Sequence, residues 1–363
     1  MKVKIDKSVF ASAQDDLQQL ELSFLLHIIL YKGRYELTFT GEDVQGYESF
    51  HKLTKPDKDV IEQLIINDIV TSSTTFDCEV KIGGENEYTQ KVFSPSESIL
   101  FLLQPTSIIL ENGLNDSHFM NALFRAFDTT GTLSKFLHEG WLRYENAGGC
   151  SNVQNFLKAL IQHFEGKQKF LRCLVFLDGD RRYPTDPEPE KKYKKLKKQL
   201  EAWNVDYHVF EKRCMENYMP DEALRSLSNP KTKEWLDAYF ALTPLQKDFI
   251  CVADGFSKDI TKSDKKTVKV KENRLSKKDK KLRKKSYVRN YLPPEVQHFY
   301  TSVSNGNFLH LEKGLDIPYF KTKFPELFDN PSFVYQNNLI VRTSHQDDPQ
   351  ELEHIVCKVV AQL

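Results

Sequence analysis

Between about residue 105 and residue 212 the chain alternates short apolar runs with amphipathic stretches, and this alternation constrains the fold more than any other feature. The runs are TSIIL at Thr106–Leu110, LRYEN at Leu142–Asn146, FLRCLVFL at residues 170–177 and VDYHVF at residues 205–210. Successive units repeat at about 30 residues, the size of a strand–helix–strand unit. The third run is almost continuously apolar, as strands buried on both faces of a parallel sheet are. Between the runs, apolar residues recur at helical spacing. Phe119, Leu123, Ala126 and Phe127 mark a helix over about residues 115–127. Val153, Phe156, Leu157, Leu160, Ile161 and Phe164 mark a second, which Ser151 or Asn152 can cap. A third is predicted over about residues 189–203. Four strands joined by right-handed helical crossovers make an α/β fold, a central open parallel sheet covered on both faces.

In such sheets function gathers beyond the carboxyl ends of the strands, so the residues just past each strand carry the most information. Glu111 lies past the first, Gly148-Gly149 past the second, and Asp178-Gly179-Asp180 past the third. The fourth leads into Glu211-Lys212-Arg213 and then Glu216-Asn217-Tyr218. An Asp-Gly-Asp alone is often only a turn. Here the acids recur in order at one predicted edge, so Glu111, Asp178, Asp180 and Glu216 are expected to converge. Converging carboxylates repel and raise one another's pKa. A divalent cation relieves that repulsion, and an all-oxygen ligand set suits Mg²⁺ or Mn²⁺.

The flanks differ from this core. Residues 1–104 read as a small α+β region, with a helical stripe at about 15–31, a strand at 35–40, a helix at 57–66 and strands near 76–82 and 88–93. The central domain spans 105–220. Residues 221–363 read as mostly helical, with helices near 221–227, 231–240, 294–300 and 348–362 and a short strand at 338–342.

Lys plus Arg and Asp plus Glu both number 51 in 363 residues, but the zero net charge conceals a strong local excess. Residues 258–289 hold fifteen Lys or Arg against four Asp or Glu and read as a Lys-rich loop. Lys277, Lys278, Lys280, Lys281, Arg283, Lys284 and Lys285 form its densest part. A second basic run, KKYKKLKK, covers residues 191–198. Such runs are commonly solvated faces, but they also suit a tracker of the nucleic-acid backbone.

The six cysteines lie at least 23 positions apart, which excludes a zinc ribbon and makes them reduced, buried small hydrophobes. The longest apolar run is far shorter than the ~20 residues that span a bilayer. The start, MKVKIDKSVF, has no apolar signal region. A cytoplasmic protein without membrane contact is expected.

With Glu111, the Asp178/Asp180 pair, GGCSN near Gly149 and EKRCMENYMP at residues 211–220 in hand, the central third resembles the Toprim domain. It is most similar to OLD-family-like Toprim nucleases of bacterial anti-phage systems, which carry a Glu after the first strand, a DxD after the third and an "R-x-x-ENYL" stretch. It departs by one residue: Asn112 precedes Gly113, and Asp116 lies five rather than four positions past Glu111. The resemblance implies an Mg²⁺- or Mn²⁺-dependent endonuclease, a hydrolase acting on phosphodiester bonds. In that reading Glu111 orients water or acts as base and binds metal, Asp178 and Asp180 hold Mg²⁺, and Glu216 completes a second metal site. Lys212 or Arg213 stabilises the scissile phosphate. The substrate is nucleic acid, DNA in preference to RNA. Relatives pair Toprim with an ABC-type ATPase, and with no GxxxxGK[ST] in this chain the ATPase would be a separate partner.

Two other readings remain open. One is a catalytically inactive Toprim scaffold or sensor bound to an ATPase. The other is a primase- or topoisomerase-like Toprim protein, which the absence of zinc-ligand spacing disfavours.

Overall fold

The computed structural model describes residues 1–39, 43–71, 75–273 and 286–363. The seven basic residues from Lys277 to Lys285 that form the densest part of the Lys-rich stretch lie outside the described residues.

The central sheet consists of β5 (Thr106–Leu110), β6 (Leu142–Asn146), β7 (Cys173–Leu177) and β8 (Asp206–Val209), in the order β6-β5-β7-β8. All its pairings are parallel, with Ile108 opposite both Tyr144 and Leu174, and Leu177 opposite Val209. Every residue of β5 and β7 is buried. The twofold alternation of a strand sends their side chains to opposite faces. Ile108, Leu110, Leu174 and Phe176 pack on the helix Gly113–Phe127 and on the C-terminal helices. Ile109, Val175 and Leu177 pack under the helices Cys150–His163 and Glu188–Ala202. Both faces are therefore covered, as the apolar runs require.

The first hundred residues form a second four-stranded sheet with its own core. Its strands are β1 (Lys2–Ile5), β2 (Glu36–Thr38), β3 (Cys78–Val80) and β4 (Val92–Phe93), in the order β2-β1-β3-β4. These too are all parallel, so the region is α/β rather than the expected α+β. The crossover helices explain this. Asp16–Leu30 returns the chain from β1 to β2, and Lys55–Thr71 returns it from β2 to β3. Strand β1 escapes the sequence pattern because it has only four residues, with Lys2 and Lys4 alternating with Val3 and Ile5. Asp15 and Gln18 form a reciprocal cap at the first of these helices, and Ser94 and Glu97 do so at Pro95–Leu103.

The two sheets are joined through buried cations. Lys169 is fully buried and donates to Glu97 at 2.6 Å, to the Gly84 carbonyl at 2.8 Å and to the Val92 carbonyl at 3.0 Å. The Arg172 guanidinium bonds the Thr106 hydroxyl at 3.0 Å and the Tyr35 hydroxyl.

The C-terminal part is helical, as expected, and its apolar residues extend the core on the Gly113–Phe127 face. Two expectations are corrected. Residues 338–342 lie inside the helix Gln336–Thr343, whose buried Leu339, Arg342 and Thr343 follow helical spacing. Within the Lys-rich stretch, Lys262–Asn273 is a helix that buries Val268. Likewise the basic run at 191–198 is the outer face of the helix Glu188–Ala202, held by Tyr193, Leu196 and Leu200 beneath it.

Candidate functional site

The carboxyl ends of β5 and β7 meet through Glu111. Its Oε1 accepts the Asp178 N–H at 3.2 Å, and its Oε2 accepts the Cys150 N–H at 3.1 Å. One side chain thus ties the ends of two adjacent strands to the first residue of the helix after β6. The positive end of that helix favours a carboxylate there. Burial nevertheless raises the Glu111 pKa. The Asp178 N–H opposes the rise and the Asp180 charge adds to it.

Asp178 is recessed at the end of β7. Burial holds its pKa well above the usual carboxylate range, and the charges of Glu111, Glu216, Asp116 and Asp180 all push the same way. Among the described residues its carboxyl makes no hydrogen bond or ion pair. Asp116 lies in the first turn of the helix after β5 and accepts the Asn112 N–H at 2.8 Å. Burial lifts its pKa to about 7, with Glu216 and Glu111 contributing. Glu216 sits in the short 3₁₀ turn Met215–Tyr218 after β8. Glu111, Asp116, Asp178, Asp180 and Glu216 therefore share one electrostatic neighbourhood on one rim of the sheet.

The turn between the two aspartates is tightly built. A Cβ at Gly179 would lie 2.1 Å from the Lys212 carbonyl oxygen and 2.5 Å from that of Phe210. Only glycine permits that approach. Asp180 adopts a left-handed backbone, φ 51°, and its N–H donates to the Arg213 carbonyl at 2.7 Å. Its carboxylate is then held by Lys192 and by the Tyr193 hydroxyl, the latter at 2.6 Å. Burial lowers the Lys192 pKa, but the Asp180 carboxylate outweighs this and keeps the ammonium above its ordinary value.

Two predicted residues face elsewhere. Lys212 is fully buried, donating to Asp248 at 2.6 Å and to the Arg342 carbonyl at 2.9 Å. Burial, reinforced by the Arg342 charge, drops its pKa to about 7. Arg213 forms a two-pronged pair with Asp259, at 2.7 and 3.0 Å. Neither can reach a phosphate at the rim while so engaged. The ENY stretch divides in the same way. Asn217 donates to the Lys247 and Ile250 carbonyls, and Tyr218 donates to Glu351 at 2.5 Å. Those contacts dock the C-terminal helices, leaving Glu216 as the member of the stretch whose charge acts on the rim.

The sequence alone does not single out Lys192, Tyr193 or Cys150. The first two are hidden inside the basic run. They lie 12 and 13 positions past Asp180, in the early part of the next helix. Cys150 opens the helix just past the glycine turn; burial and the Glu111 charge raise its thiol pKa.

Clustered carboxylates are the hard oxygen donors a divalent ion takes, and its charge would relieve their mutual repulsion. The arrangement itself is not a closed ligand cage: among the described residues, no three His, Cys, Asp or Glu side chains are gathered where they could hold a metal ion. Asp180 in particular is spent on Lys192 and Tyr193. No helix among the described residues is long and apolar enough to cross a membrane.

No family model matches the chain, and no solved structure matches it. One curated human protein, the nuclear exosome regulator NRDE2, is 30% identical over 88 residues. That match covers 23% of this chain and 8% of NRDE2, so the chain spans less than a tenth of that protein.

Proposed function

We propose that the protein is a Toprim-type nuclease, a cytoplasmic endonuclease that cuts phosphodiester bonds with Mg²⁺ or Mn²⁺. The observation that carries this reading is the meeting of Glu111 and Asp178 at the carboxyl edge of a parallel sheet, with Asp116, Asp180 and Glu216 within electrostatic reach. Asp178 and Glu111 would hold the first metal, joined by Asp180 once it exchanges Lys192 for the ion, and Glu216, with Asp116 beside it, would hold a second. A bound ion would supply neutralisation of phosphate charge and acidify a water. Glu111, fixed by two backbone N–H groups, orients the attacking water and accepts its proton. Lys192 is paired with Asp180 but half-exposed, so it would meet the scissile phosphate once a metal takes Asp180; Lys212, fully buried against Asp248, would not.

DNA is the favoured substrate over RNA, and the basic residues from Lys277 to Lys285 would track its backbone. By the family resemblance alone, the protein acts in bacterial anti-phage defence beside a separate ABC-type ATPase. Incubation with plasmid, linear DNA and RNA, with Mn²⁺ or with EDTA, tests the reading. EDTA-sensitive cleavage that Asp178→Asn abolishes supports it. Intact substrates under all conditions, with and without an ATPase partner, overturn it.

A second reading, an inactive scaffold or sensor, is favoured by one observation: Asp180 is paired with Lys192 instead of being free to bind metal.

A further inference from the structure

The helix Asp16–Leu30 is apolar on two opposite sides. Leu22, Leu25, Leu26 and Ile29 face the N-terminal core and are buried. On the outer side Leu17 is 76% exposed, Leu20 66% and Phe24 49%, and Tyr31, which ends the helix, is 56% exposed. With the exposed His27 these positions follow a 3-4-3-4 spacing. That is the seam of a helix that packs on another helix.

The seam borders a trough. Helix Pro95–Leu103 packs beside it, and its Ser96 and Ile99 enclose a cavity of about 490 Å³ with Leu17, Leu20 and Phe24. Leu103 and Trp141 enclose a second cavity, of about 420 Å³, with Phe24, His27 and Tyr31. Phe24 lines both, so the two cavities are continuous along the helix. Leu100 and Leu103 are also more than half exposed. The patch leaves on the order of 600 Å² of apolar side chain in water. That lies at the upper end of what a monomer exposes in one place and is most of the ~800 Å² that each partner gives to a standard interface.

The two ends of the seam carry opposite charge. Asp15 and Asp16 stand exposed at its start, and Glu21 lines the first cavity. Lys32, Arg34 and Lys135 gather at its end, together with Glu139, which pairs with Lys32 at 2.8 Å. A second copy of the helix laid antiparallel about Phe24 brings Leu17 against Tyr31, Leu20 against His27, and the Asp16 end against the Lys32 end. The helix dipoles favour that direction as well. A parallel pairing would set acids on acids and lysines on lysines. We infer that the protein forms a two-fold dimer through this trough, with the Asp16–Leu30 helices of the two copies antiparallel. A two-fold contact uses the same patch on both copies and closes on itself. The dimer does not rest on the nuclease reading.

Sedimentation velocity of the full chain across micromolar concentrations tests this, with thermal melting to confirm that each variant is folded. The unmodified protein should be dimeric. Phe24→Glu places two carboxylates at the two-fold axis and should weaken the dimer about a hundredfold or more. Should that variant fail to fold, Leu17→Glu, at the most exposed position of the seam, should weaken it about tenfold or more. Asp16→Lys puts like charges together at both ends and should weaken it about three- to tenfold. Adding Lys32→Asp to Asp16→Lys restores opposite charges in the antiparallel arrangement, and should recover most of that loss. An unmodified chain that stays monomeric, a dimer that the seam variants leave intact, or a double variant no tighter than Asp16→Lys overturns the inference.

Discussion

Glu111 accepts the backbone N–H of Asp178 at 3.2 Å, so the acid ending one strand is clamped to the acid ending its neighbour. The clamp sets how the rim responds to pH, ions and substitution.

Asp116 shows the pH response most clearly. Its pKa rises from an ordinary 3.8 to about 7, chiefly through burial. The folded chain then holds more protons than the unfolded chain between those values, so stability falls as pH rises through that window. Asp116→Asn keeps an oxygen for the Asn112 N–H and removes the charge. At pH 8 it should raise stability by roughly 2 to 3 kcal/mol, after allowance for solvent screening, and at pH 3 by almost nothing. Urea unfolding at the two pH values measures this. Equal effects at both would contradict the placement of Asp116 in a field of acids.

The turn at Gly179 has no room for a side chain, because a Cβ would meet two carbonyl oxygens at 2.1 and 2.5 Å. Gly179→Ala should cost about 2 to 4 kcal/mol and displace Asp180, lowering cleavage beyond the loss of folded protein. Thermal melting reads the first effect. A variant that melts like the parent would show that the turn is not packed as described.

The parallel central sheet is readable because the β5 and β7 segments are near-continuous apolar runs separated by helical spacing. The positions of Glu111, Asp178, Asp180 and Glu216 on one rim follow from topology alone. The direction of Lys212 does not. Its neighbours Glu211 and Arg213 are polar, so nothing local marks it as buried, and its partner Asp248 lies 36 positions away. Lys192 escapes notice for the converse reason: an exposed-looking basic run conceals one lysine pointing back at the rim. The N-terminal strands run two to four residues, too short for alternation to show their direction.

Lys212 offers a pH response of opposite sign. Its pKa falls from 10.5 to about 7, mainly by burial. The unfolded chain then binds more protons over that range, so stability rises with pH from about 7 to about 10. Lys212→Met should remove that slope and cost roughly 1 to 3 kcal/mol at pH 7, since Asp248 keeps Arg342 and His345. Cleavage per folded molecule should stay within about threefold of the parent, a change of under 1 kcal/mol in barrier. A far larger loss would return Lys212 to the chemistry.

Lys192 occupies the carboxylate that a metal would need. Lys192→Met removes the competing cation, so Mn²⁺ should bind about three- to tenfold tighter. The same change should lower turnover by removing the positive charge beside the phosphate. Calorimetry with Mn²⁺ and a plasmid-nicking assay separate the two effects. Weaker ion binding would mean that Lys192 orders the site instead of blocking it.

The most direct test of the central claim is Mn²⁺ binding to the full chain, measured by calorimetry at pH 7.5 in the parent and in Asp178→Asn. An acidic rim built to grip a divalent ion predicts saturable binding in the parent and its loss in the variant, alongside EDTA-sensitive nicking of plasmid by the parent only. Absence of binding in the parent, or equal binding in both proteins, would contradict it.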